Sequence, residues 1–191
     1  SRPPDCHDEG QILLMPIQSQ FFDLRERNGV APNPHHHTMD YLFTLEPRPV
    51  PQLVESAVAL LMAEHTLLRS RFRGEGTCWA QWAERPGGEV PFQVYDLSKT
   101  EDPQAAIEAL AAELRRSLHL TDGPLVRFAL LQMGKGGADP LADRLFVTVH
   151  HLIADGVSMQ LLFADFLAVY RQLQRVGEAD LPPSTTSVRE Y

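Results

Sequence analysis

The chain has 191 residues, 43% of them apolar and 22% charged, enough to bury one core and too few for two. Its 17 basic and 25 acidic residues leave a net charge of -8, which excludes a phosphate-tracking nucleic-acid binder and fits a soluble cytoplasmic protein. Cys6 and Cys78 stand far apart in no ligand spacing, so neither a disulfide framework nor a zinc site is expected. No apolar run reaches the roughly 18 residues that a membrane span needs. With Ser1 at its start and no signal peptide, the chain reads as a piece excised from something longer.

Residues 1–11 are polar and irregular and read as a linker. Pro16 then opens a helix with Ile17, Phe21 and Phe22 on one side, joined by Leu24, and Asn28-Gly29 stops it. Residues 30–38, with their prolines and the run His35-His36-His37, read as loop. Met39 to Leu45 alternates as a strand does. From Gln52 to His65 the apolar stripe Val54, Val58, Leu61, Met62 marks a helix. Leu67–Phe72 and Trp79–Trp82 follow as strands joined by the turn-prone Gly74-Glu75-Gly76.

A short strand over Val90–Tyr95 leads to a helix over 102–118, striped by Ile107, Leu110, Ala111, Leu114 and Leu118. Leu125–Met133 is almost continuously apolar, the pattern of a strand covered on both faces. After a turn over Gly134–Asp139, the strand Leu145–Val149 runs into His150-His151. A last helix carries Leu162, Phe166, Val169, Tyr170 and Leu173 on one face and is expected to end at Leu181-Pro182-Pro183. Interleaved helices and strands make this an α/β lobe, a mixed sheet with helices packed on it.

The segment with the most chemistry is a His-His pair at a strand end, followed by a short loop and Asp155-Gly156 opening a helix. Adjacent strand residues face opposite sides, so His150 and His151 are expected to divide their tasks. One is packed and hydrogen-bonded, and the other is presented at the strand mouth. An imidazole near pH 7 takes or gives a proton readily. Asp155 is expected to orient the loop through a charge-assisted bond, and Gly156 to let the backbone turn and bring an N–H close. His35, His36 and His37 have no partner carboxylates or cysteines in ligand spacing, so no metal site is expected. Ser158 has no G-x-S-x-G surroundings and is assigned to capping or lining the helix start rather than to nucleophilic attack.

The stretch His150-His151-Leu152-Ile153-Ala154-Asp155-Gly156 resembles the HHxxxDG signature of the condensation superfamily of nonribosomal peptide synthetases, whose members are similar to chloramphenicol acetyltransferase in fold. Pro16-Ile17-Gln18 before Phe21-Phe22 resembles the family's PIQ element, and His65 to Phe72 resembles its HxxLRxxF element. Gln81 beside Trp82, Asp96-Leu97-Ser98 and Gly123-Pro124-Leu125 resemble further recurring positions, so the likeness runs from about residue 11 onward.

The resemblance implies that His151 is the catalytic residue, for proton transfer or substrate positioning, with His150 and Gly156 in support. It implies that Asp155 is structural and paired with Arg69, and it places Gln18 and Ser158 on the lining of the site. It further implies that residues 12–191 are an N-terminal lobe whose C-terminal lobe is absent, leaving the isolated chain folded but catalytically silent. No cofactor is expected on the lobe itself. Substrates arrive on the phosphopantetheine of peptidyl carrier protein domains, with neighbouring synthetase modules as further partners.

Amide formation between carrier-bound thioesters is the first expectation. Epimerisation at Cα of a carrier-bound thioester is the alternative. Pro16-Ile17-Gln18 with Phe21-Phe22, Gly156-Val157-Ser158 and the Leu181–Ser187 run resemble epimerisation domains, whereas Met159 stands where those usually carry Trp, as in many condensation domains. A non-catalytic recruitment platform of the same fold is the remaining possibility, although such relatives generally lose the second His or the Asp.

Overall fold

The structure is a computed structural model that describes residues 12–28, 35, 37–75, 78–134, 142–177 and 179. The expected linker over 1–11, most of the turn after Gly134 and the Leu181-Pro182-Pro183 segment lie outside the described residues. In chain order the elements are α1 (Pro16–Asn28), β1 (Thr38–Thr44), α2 (Pro51–Glu64), a 3-10 turn (Thr66–Arg69), β2 (Ser70–Glu75), β3 (Cys78–Ala83), β4 (Phe92–Asp96), α3 (Pro103–Arg116), β5 (Val126–Gln132), β6 (Arg144–His150) and α4 (Gly156–Val176).

The main sheet is four-stranded, in the order β1-β6-β5-β4, and β2 pairs with β3 in a separate two-stranded ribbon. β1 and β5 both run antiparallel to β6, while β4 runs parallel to β5, so the sheet is mixed as expected. β5 is covered on both faces, which explains its unbroken apolar run. Val126, Phe128 and Leu130 enter the larger core with α2 and α4, whereas Ala129 and Leu131 meet Ile107, Leu110, Ala111 and Leu114 of α3. Pro103 follows Asp102, whose carboxylate caps α3 by accepting from the Ala105 amide at 3.1 Å.

Three local expectations are corrected. Leu67 belongs to the 3-10 turn, and β2 extends through Gly74, a residue expected in the hairpin turn. Gly74 pairs with Trp79 where a Cβ would lie 2.1 Å from the Cys78 carbonyl oxygen, so close backbone approach rather than turn geometry selects glycine. The stripe on α2 buries Val54, Ala57, Val58 and Leu61, with Met62 only partly covered. Finally, α4 stops at Val176 because Gly177, at φ 75°, takes the left-handed cap and donates to the Leu173 carbonyl.

α1 is less simply amphipathic than its apolar residues imply. Ile17 is 66% exposed, and among the described side chains of α1 the buried ones, at one turn's spacing, are Gln18 and Phe22. Phe22 stacks on Trp79 of β3, with ring centroids 4.2 Å apart. That contact holds α1 against the β2–β3 ribbon.

Candidate active site

β6 delivers the histidine pair and then ends. His150 is its last residue and is fully buried, while His151 opens the following turn and is exposed. The His150 amide donates to the Leu125 carbonyl at 2.8 Å, and its Nδ1 accepts from the Leu152 amide at 3.2 Å. A ring nitrogen that accepts carries no proton, so this contact selects the Nε2–H form of a neutral His150. The pair is thus divided between a locked ring and a presented one. His151 is held through its backbone, whose amide donates to the His37 carbonyl at 2.8 Å.

Gln18 ties α1 to this turn. As the third residue of α1, its Oε1 accepts from the Met15 amide just before the helix, the reciprocal half of a capping box. Its Nε2 donates to the Leu152 carbonyl at 2.8 Å. One fully buried amide therefore satisfies the helix start and the residue next to His151. Sequence alone placed Gln18 near the site without finding these contacts.

Asp155 is an exposed N-cap. Its Oδ1 accepts from both the amide and the hydroxyl of Ser158 at 2.7 Å. These bonds, the amide first and the hydroxyl next, hold the carboxyl below its usual range. A depressed folded pKa gives stability that is present above the unfolded carboxylate value and is lost as pH falls through the folded one. Asp155→Ala is therefore expected to cost about 1 kcal/mol at pH 7, and Asp155→Asn only a few tenths. Urea unfolding should show the gap between Asp155→Ala and wild type closing as pH drops below about 4.

The expected Asp155–Arg69 pair does not form. Arg69 instead covers the open end of α2, where its guanidinium donates to the carbonyls of Met62 and, at 2.6 Å, Ala63, and its Nε donates to the Glu84 carbonyl at 2.9 Å. The last carbonyls of a helix lack intrahelical partners and favour a cation, so Arg69 is drawn to the α2 terminus only a few residues upstream. Gly156 is also corrected. Its φ is not positive, and a Cβ built there meets nothing within 4 Å, so this lobe does not itself require glycine at that position.

An open cavity of about 500 Å³ is lined by Arg69, Arg71, Glu84, Gly123 and Pro124, and none of the motif histidines reaches it. Arg71 is paired with Glu84 there and packs where a Gly123 Cβ would sit. His35 accepts from the Leu120 amide at 3.0 Å and stacks on His119, while His36 lies outside the described residues. Among the described residues, no group of three or more His, Cys, Asp or Glu side chains converges as metal ligands, and no helix is long and apolar enough to cross a membrane.

Comparison with known proteins identifies the family and the fold. The Condensation domain family matches residues 8–191. Bacitracin synthase 3 of Bacillus licheniformis is 29% identical over 184 residues, which is 96% of this chain and 3% of that protein. Tyrocidine synthase 1 of Brevibacillus parabrevis is 32% identical over 95% of this chain and 16% of its own length. Among solved structures, the epimerization domain from the third module of tyrocidine synthetase B superposes with TM-score 0.82 at 32% identity, covering 96% of this chain and 40% of that one. The first condensation domain of the CDA synthetase superposes with TM-score 0.78 at 21% identity, covering 96% of this chain and 45% of that one, a likeness of fold. The chain thus spans less than half of the solved domains and a small part of the synthetases it matches. With the buried His150, the presented His151 and the capped Asp155 all set on that fold, the chain belongs to the condensation-domain family of nonribosomal peptide synthetases.

Proposed function

We propose that residues 12–191 form the N-terminal lobe of a condensation-superfamily domain and supply the histidine wall of a site for aminoacyl or peptidyl thioesters carried on phosphopantetheine. The observation that carries this reading is the division at the end of β6, where His150 is locked and His151 is exposed. His151 is the residue assigned to proton transfer or substrate positioning. His150, Gln18 and Asp155 shape the turn that presents it, Ser158 lines the start of α4, and Gly156 leaves room for what approaches. Arg69 supports the lobe at α2 rather than the site.

The 40% coverage of the solved epimerization domain supports a second wall formed by sequence outside this chain, so the lobe alone is expected to be silent. Peptidyl carrier domains, the C-terminal lobe and neighbouring modules are its partners, in a cytoplasmic assembly line. No cofactor is assigned beyond the phosphopantetheine on the carrier.

In amide formation the acceptor nitrogen attacks the thioester carbonyl, the C–N bond forms, the C–S bond breaks, and the amine's proton passes to the leaving sulfur. A presented imidazole serves that proton movement. Epimerisation instead removes and returns the proton at Cα and leaves the thioester intact. The likeness of 32% identity to an epimerization domain, against 21% to a condensation domain, favours this second reaction.

The test uses the complete domain in deuterated buffer, with an aminoacyl or peptidyl thioester on one carrier and an acceptor on another. Amide product supports the first reaction, and Cα deuterium without amide supports the second. Neither product from a folded, loaded system would overturn both.

A further inference from the structure

We propose that His37 is a positioning residue for His151, its flat ring fixing the direction of an imidazole that the turn leaves exposed. This inference rests on the reading of His151 given above, and it assigns a role to a histidine that motif and spacing leave in a loop.

An exposed side chain on a turn samples several staggered rotamers, and burial gives it little hold. His151 is held in other ways. The Thr38–His150 pair ends the β1–β6 ladder, and the His151 amide extends it by bonding the His37 carbonyl at 2.8 Å. That bond places the two side chains together, with ring centroids 5.1 Å apart and planes inclined by only 9°. The stacked face restricts rotation of the His151 ring and so selects which of its edges is presented.

His37 is anchored in turn. Phe21 of α1 meets it at 5.5 Å, and His150 meets it edge-on at 6.3 Å. Phe21 also stands edge-on to the buried His150 at 6.1 Å and to Phe22 at 5.3 Å. An aromatic series therefore runs from the core, through Phe22 and Phe21, to His37 and the exposed His151. Partial burial, and then the charge of His151, lower the pKa of His37.

The test compares His37→Ala, His37→Phe and His151→Ala in the complete domain, with turnover and melting temperature measured on each. His37→Ala is expected to lower kcat about tenfold with KM unchanged, and His37→Phe, which keeps a flat ring, to recover most of that loss. A purely structural role would lower the melting temperature without this split between kcat and KM. If His151→Ala is inactive while His37→Ala turns over normally, the positioning role is overturned and the reading of His151 stands. Equal losses in His37→Ala and His37→Phe would also overturn it, because stacking would then not be what matters. Full turnover by His151→Ala would remove the reading of His151 and this inference with it.

Discussion

Gln18→Ala is expected to destabilise the fold by about 2–4 kcal/mol, because it leaves two backbone groups without partners and opens a small cavity. Gln18 is fully buried, and its amide accepts from Met15 and donates to Leu152, each at 2.8 Å. An orphaned buried donor or acceptor loses its hydrogen bond without regaining water, which is the costly side of such substitutions. A loss of that size is a large share of a domain's total stability of roughly 5–15 kcal/mol. Gln18→Leu should recover only the cavity share of that loss, since it fills the volume and restores neither bond. Urea unfolding at constant m-value measures the change, and a shift under about 0.5 kcal/mol would show that water or another group satisfies Met15 and Leu152. In the complete domain the same substitution should reduce turnover, because Leu152 directly follows His151 and its carbonyl is one of the turn's fixed points.

The elements that sequence patterning found are those with a periodic apolar face or a chemical stop. The stripe Ile107, Leu110, Ala111, Leu114 on α3 and the continuous run on β5 were legible because burial repeats at the period of the element. Strand alternation predicts one packed and one presented histidine, and the structure buries His150 and exposes His151 although His151 lies one residue beyond β6.

Long-range pairing was much less legible. Arg69 was matched to Asp155 by motif, but carbonyls at the end of α2 offered it nearer partners, and Asp155 found its own in Ser158. Gln18 reads as one of several polar residues on α1, and only its place two residues after Pro16 hints at a capping role. The stack of His37 on His151 depends on the register of β1 against β6, which no local pattern encodes. Gly177 and Gly123 need their positive φ, at 75° and 70°, whereas the motif glycine Gly156 does not. Nothing in the backbone of this lobe explains the glycine at that motif position.

His151→Ala carries the largest expected effect on function. His151 is exposed on the turn after β6 and contributes little packing, so its removal should leave the melting temperature nearly unchanged. Its backbone bond to His37 survives the substitution, and Gln18 still holds Leu152. What is lost is the ring proposed for proton transfer or substrate positioning, with an expected loss of about 10²–10⁴-fold in kcat for general acid–base catalysis. This expectation is the same for amide formation and for epimerisation at Cα, since both reactions move a proton beside a carrier-bound thioester. The most direct measurement is the rate of product formation per enzyme by the complete domain with His151→Ala, under saturating loaded carrier, beside wild type. A folded variant with kcat reduced by about 10²–10⁴-fold is the predicted result. Undiminished product from that variant would contradict it and would show that the reaction does not depend on His151.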